Sequence, residues 1–277
     1  YFDFEGDAAH LFAPALVDLL GPPRDIRRPY AFDALVDEAP TADAEDQRCA
    51  DIAASLQEVL AEVLLGLCRR LRARTASTNL CIAGGVALNC LANTRVAREG
   101  GFAQVFVPPD PGDGGAAFGA AMLRASTADP VSPIDHPYLG GAFPADTLAP
   151  LLTASPTLDM VLGAARPGVR RAARIELNVV EDEDALLDTV TEALAAGDTV
   201  GWFQQRSEIG PRALGNRSLL VDPAQLDAVR RMSSSVKSHK RFRPYALSIA
   251  DTDAARVLAV DSTTQPILRW MQSVWPV

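Results

Sequence analysis

A chain of 277 residues with 35 acidic and 26 basic side chains, formal net charge −9, is long enough for about two domains. That acidic balance excludes a general nucleic-acid or anionic-membrane surface, because both demand positive charge. A hydrophobic share of 48% is enough for a real core, and no apolar run approaches the roughly 20 residues of a membrane helix. The four cysteines, Cys49, Cys68, Cys81 and Cys90, form no CxxC pair, and three lie in apolar runs. They are expected as buried, reduced thiols, which argues against a zinc site and a disulfide framework. With no secretory leader read at the start, a cytoplasmic protein is expected. The pattern is already under way at Tyr1, and both ends read as incomplete.

In chain order, residues 46–73 carry Ile52, Leu56, Val59, Leu60, Val63, Leu64, Leu67 and Leu71 at helical spacing. This predicts a long amphipathic helix with arginines at its C-terminal end, where the dipole favours them. A strand is predicted over 80–84, then a glycine turn, a helix from about Ala87 to Glu99 and a strand over 103–109. A tight acidic turn, 110–115, leads into a small-residue helix, 116–125. Strands alternating with helices imply an α/β layer structure. Residues 126–170 lose this order to proline, glycine and small polar residues, and read as a linker between a first domain, 1–125, and a second, 171–277. The second begins with a predicted strand at 176–180 and a helix opening on the acidic run from Glu181. Strands at 199–203 and 218–222 flank a basic loop, followed by a polar helix, a basic cluster at 236–244 and an apolar strand at 245–250.

Three places carry chemistry. Gly84 and Gly85 separate a strand end from a helix start, where the absent Cβ and free N–H groups suit a phosphate. A plain strand-to-helix turn would look the same. Asp113, in the turn after the next strand, suits a hard cation or a nucleotide's metal, or equally caps the following helix. Two successive strands of one sheet should bring both turns to one cleft. The loop FQQRSEIGPRALGNRSLL (203–220) sets Arg206, Arg212 and Arg217 among glycines and a proline, and Lys237 and Arg243 add cations further on. Forked guanidinium donors suit phosphate oxygens; the alternative is a solvated patch balanced by Glu208 and Asp222. His239, among lysines, reads as a surface histidine, and His10 and His136 carry no ligand spacing.

IAGGVALNCLAN (82–93), PPDPGDGGAAFGAA (108–121), the 203–220 loop and VKSHKRFRPYALS (236–248), in that order, resemble the O-carbamoyltransferases of natural-product biosynthesis. Those enzymes modify nodulation factors, aminoglycosides, cephamycins, ansamycins and novobiocin-type antibiotics. The resemblance implies an α/β fold in which an ASKHA (Kae1-like) nucleotide-binding domain precedes a YrdC-like domain, both incomplete here. It implies hydrolysis of carbamoyl phosphate to carbamate, conversion of carbamate and ATP to carbamoyl adenylate and pyrophosphate, and transfer to a hydroxyl with release of AMP. By the same resemblance, Gly84 and Gly85 line the nucleotide phosphates and Asn89 reaches the nucleotide from the following helix. Asp113 gives one ligand of a divalent metal (Fe or Mg/Mn), and Arg212, Lys237 and Arg243 hold carbamoyl phosphate. The family metal also takes histidine and further acidic ligands, and no HxxH occurs in this sequence. The family's K-x-R-E before FRP is replaced by Lys237-Ser238-His239-Lys240, and its later DGTAR-like and NTSFN-like runs are missing. A small hydroxyl-bearing acceptor is implied, with no nucleic acid, no membrane and room for a homodimer. Two other readings stay open: a nucleotide-binding remnant without turnover, and a carbamoyl-adenylate enzyme acting on tRNA or a maturation protein. The acidic charge and the domain order weigh against the latter.

Overall fold

The computed structural model describes residues 13–25, 27–28, 43–127, 135–144, 147, 178, 180–233, 245–258 and 266–275. After a short helix α1 (Pro14–Leu20), the chain builds α2 (Ala44–Arg72), β1 (Asn79–Cys81), a 3₁₀ turn (Gly85–Leu88), α3 (Cys90–Glu99), β2 (Gln104–Phe106) and α4 (Asp113–Ser126). Helix α2 starts where the Asp43 carboxylate accepts the N–H groups of Glu45 and Asp46, at 3.0 and 2.9 Å. It ends in Arg69, Arg70 and Arg72, as the dipole argument expects. Strands β1 and β2 pair in parallel, with Leu80 opposite Val105. Beneath them lies the main core: Leu65 and Cys68 from α2, Val96 and Ala97 from α3, with Leu80, Ala87, Phe102, Val105 and Val107.

Strand β1 is shorter than predicted. After Cys81 the chain leaves the ladder and turns through Gly84, whose φ of 105° disfavours a side chain. The helix expected from Ala87 is divided. A 3₁₀ turn ends at Asn89, whose side chain accepts the Ala92 N–H at 3.0 Å and so starts α3 at Cys90. Helix α4 begins at Asp113, earlier than 116–125, because Asp110 folds back over its first turn. A Cβ at Gly114 would overlap the Asp110 carboxylate, and one at Gly115 its carbonyl.

The later part holds α5 (Glu183–Ala195), the antiparallel strands β3 (Val200–Phe203) and β4 (Arg217–Leu220), α6 (Leu226–Arg231) and α7 (Asp251–Leu258). Of the strand predicted at 176–180, residues 178 and 180 are described and lie outside any strand; the others are outside the described residues. Residues 245–250 form no strand: they find no ladder partner among the described residues, and Tyr245 and Leu247 stay exposed. The described residues thus form a mixed α/β structure with two two-stranded sheets, one parallel and one antiparallel.

Two segments return to distant parts of the chain. Residues 137–142 lie along the basic loop: Gly140 N–H donates to Ser207 O at 2.9 Å, Ser207 N–H to Gly141 O at 3.0 Å and Ile209 N–H to Pro137 O at 2.8 Å. The 3₁₀ turn Pro266–Trp270 and the residues after it enter the first core, where Ile267 is fully buried and Trp275 packs alongside. Residues 266–275 close on β1, β2 and α3. Of the cysteines, all four are free thiols, but only Cys68 is buried; Cys81 points outward from β1 because residues alternate faces along a strand.

Candidate functional site

The turns after β1 and β2 meet at one end of the parallel pair. Ile82 N–H donates to Phe106 O at 2.9 Å, and Gly84 N–H donates to Pro111 O at 2.7 Å. Around an ideal Cβ at Gly84 or Gly85 no atom of the described residues beyond the chain neighbours lies within 4 Å, so both backbones face open space among them. That is the setting in which a ligand can approach the main chain closely. Asp113 is the first residue of α4; its carboxylate is exposed and has no partner among the described residues. Asn89 is largely occupied. Its Oδ1 caps Ala92 and accepts Gln57 Nε2 at 3.2 Å, while its Nδ2 donates to Gln57 Oε1 at 2.7 Å.

The basic loop is the long connection of the β3–β4 hairpin. One carboxylate organises it: Glu208 Oε1 accepts the N–H groups of Leu214 and Asn216, both at 2.8 Å, and of Arg217 at 3.3 Å. Burial would raise this carboxyl's pKa, but the backbone donors outweigh it and hold it below the ordinary value. Asn216, 1% exposed, makes a second centre: its Nδ2 donates to Arg206 O and its Oδ1 accepts Gln204 Nε2, both at 2.8 Å. Tyr138 hydroxyl donates to Leu214 O at 2.8 Å, and burial, then the Glu208 charge, push its pKa up.

The three arginines of the loop have different duties. Arg217 lies 3.5 Å above the Phe203 ring and donates to the carbonyls of Gln204, Gln205 and Asn216. Arg206 donates to Leu139 O at 3.2 Å. Both hold the loop and its neighbour together. Arg212 instead crosses to the first region: its Nη2 donates to Leu88 O and to Cys90 Sγ, each at 3.3 Å. Its Nε is buried without a partner among the described residues. Beside it, Gly210 has φ 94°, and a Cβ there would lie 2.7 Å from Pro109 O and 3.1 Å from Asp110 Cβ. The loop therefore packs directly on both turns.

Of the residues expected from sequence, Gly84, Gly85, Asn89, Asp113 and Arg212 belong to these three adjoining loops; Lys237, Arg243 and His239 lie outside the described residues. Sequence reasoning assigned Glu208 to charge balance, whereas it gathers backbone donors; a lone acid amid glycines and N–H-rich turns was the available signal. It passed over Tyr138, Asn93 and Gln272. Of these, Gln272 alone carried a local signal, as the one amide side chain within RWMQSVW. Among the described residues no group of three His, Cys, Asp or Glu side chains could hold a metal ion, so Asp113 has no companion ligands there. No described helix is long and apolar enough to cross a membrane.

Comparison with known proteins matches two segments of the chain to one family. Residues 30–122 match the carbamoyltransferase N-terminus and residues 191–277 the carbamoyltransferase C-terminus. The nodulation protein NolO of Bradyrhizobium diazoefficiens is 34% identical over 227 residues, 80% of this chain and 38% of that protein. The 3'-hydroxymethylcephem-O-carbamoyltransferase of Streptomyces clavuligerus is 37% identical over 223 residues, 79% of this chain and 37% of that protein. An uncharacterized Synechocystis protein is 38% identical over 211 residues, covering 73% of this chain and 31% of its own length. The chain thus spans well under half the length of the curated relatives it matches. With the paired turns inside the N-terminal match and the arginine loop inside the C-terminal one, the chain belongs to the carbamoyltransferase family.

Proposed function

We propose that this chain is part of an O-carbamoyltransferase that takes the carbamoyl group of carbamoyl phosphate and delivers it, through a carbamoyl adenylate made from ATP, to a hydroxyl of a small natural product. The observation that carries this reading is the junction: Arg212, from the anion-suited loop, donates to the carbonyl that ends the open glycine turn. Carbamate is short-lived in water, so a site that makes it must adjoin the site that uses it.

In this reading the Gly84–Gly85 backbone approaches the nucleotide phosphates, and Asn89 supports that turn through its cap and the Gln57 pair. Arg212, Lys237 and Arg243 bind carbamoyl phosphate, and their fixed positive charge stabilises the charge that develops on the departing phosphate. The carbamate released by that hydrolysis then attacks the α-phosphorus of ATP, and pyrophosphate leaves. The acceptor hydroxyl attacks the carbamoyl carbon and AMP leaves. The resemblance also calls for a divalent metal with Asp113 as one ligand. The described residues alone do not fit such a centre, and none of the roles given to the side chains here requires it. The ASKHA-like and YrdC-like assignments, a division at the 126–170 linker and a cytoplasmic location are parts of the same proposal.

Incubating the protein with carbamoyl phosphate, ATP and a hydroxyl acceptor tests it. Acceptor-dependent AMP formation is expected, and Lys237→Ala or Arg212→Ala should abolish phosphate release from carbamoyl phosphate. Nucleotide binding without AMP would instead favour a nucleotide-binding module without turnover.

A further inference from the structure

We infer that Asn93 and Gln272 form a positioning brace that sets the spacing of the two turns, an inference resting on the nucleotide reading above. Both amides are enclosed, at 1% and 0% exposure. Asn93 Nδ2 donates to Ala87 O in the first turn at 2.7 Å and to the Gln272 carbonyl at 3.0 Å. Gln272 Nε2 in turn donates to Pro108 O at 3.3 Å and Pro109 O at 3.4 Å, at the entry to the second turn. A continuous path of amide hydrogen bonds therefore joins the turns through a segment 179 residues distant from Asn93 in sequence.

The second turn needs such a donor. Pro108, Pro109 and Pro111 have no N–H, so these residues can be held through their backbones only by groups that donate to their carbonyls. Gly84 N–H holds Pro111 and Gln272 holds Pro108 and Pro109, which ties the turn at two places. Asn93 Oδ1 and Gln272 Oε1 accept from no donor among the described residues, so the two amide nitrogens, which serve carbonyls that an apolar side chain would leave unmet, carry the brace. What the amides supply is a fixed distance between two loops that must grip one ligand.

The experiment compares the full chain with Gln272→Met, which keeps the volume and removes the donor, with Asn93→Leu as a second route to the same break. Thr94→Val is the control. It removes the hydroxyl that accepts Val274 N–H at 2.8 Å and shares its one proton between Cys90 O at 2.9 Å and Val274 O at 3.0 Å, loosening the same segment without a bond to either turn. Amide exchange is followed at Gly84, whose N–H bonds Pro111 O across the two turns, at Ala87 and Asn89 in the first turn and at Gly115, whose N–H bonds Gly112 O in the second, and ATP affinity by calorimetry. Both brace variants should speed exchange in both turns and weaken ATP binding, each by about tenfold, whereas Thr94→Val should leave ATP affinity within about twofold. Unchanged exchange in the turns overturns the brace, and so does an equal effect from Thr94→Val. A wild-type chain that binds no ATP overturns the nucleotide reading alone, and the exchange comparison still decides the brace.

Discussion

The glycine turns and the arginine loop both present backbone and cations to one junction, yet they are held in opposite ways. The turns rest on a core: Val105 and Val107 are fully buried beneath them, and the two parallel strands that launch them share that core with α2, α3 and Ile267. Among the described residues the loop has no such floor. Its hairpin strands are only partly buried, and its shape comes from Glu208 and Asn216 collecting main-chain groups. Apolar burial is non-directional and tolerant of salt and acid, whereas a carboxylate centre is directional and responds to pH. Where a ligand must meet open main chain, the fold uses packing below; where side chains must be aimed, it uses polar anchors within.

The largest effect should come from Ile267→Ala, which empties a fully buried position and should cost about 3 kcal/mol in denaturant unfolding. The destabilisation should be read by exchange in β1, β2 and α3 and not in the hairpin; the reverse would break the assignment of this segment to the first core. Next, Glu208→Ala strips the acceptor from three N–H groups and should destabilise the 204–216 loop by about 2 kcal/mol, visible as faster exchange at Leu214 and Asn216. The same carboxyl sharpens the contrast through pH. Because its pKa is lowered in the fold, its stabilisation is complete above the unfolded value and is lost as the pH falls through the folded value. Acid should therefore loosen the loop before the turns, and Glu208→Gln should remove that selectivity. The smallest stability change belongs to the paired glycines. Gly84→Ala, at φ 105°, should cost about 1–2 kcal/mol, while Gly85→Ala, with open space around its Cβ, should stay within about 0.5 kcal/mol. If the turn receives a nucleotide, Gly85→Ala should nevertheless weaken ATP binding at least about tenfold by blocking close approach.

Arg212 adds a lesson about cations in sequence. Three arginines in one loop read alike, but two are consumed by carbonyls and an aromatic face within the hairpin and by residue 139. A guanidinium has five donors and satisfies whichever acceptors the backbone brings near. Only chain geometry distinguishes the arginine that crosses the junction from those that build the loop.

Local chemistry made much of this protein legible in the sequence. Helix α2 followed from its apolar spacing and charged ends, the helix after Asp182 from its acidic start, and the meeting of the two glycine turns from strand order. Those features depend on neighbours within a few residues or on consecutive strands, so periodicity and turn residues report them. The 3₁₀ break before Cys90 turned on the local Asn89 cap and the duty of Glu208 on donors six to nine residues on, but the return of 266–275 to the first core and the crossing of Arg212 to Leu88 depended on partners far along the chain. Hydrogen-bond partners and core neighbours at such separations carry no local signature, because any donor or apolar side chain that the tertiary path brings within reach can fill the place.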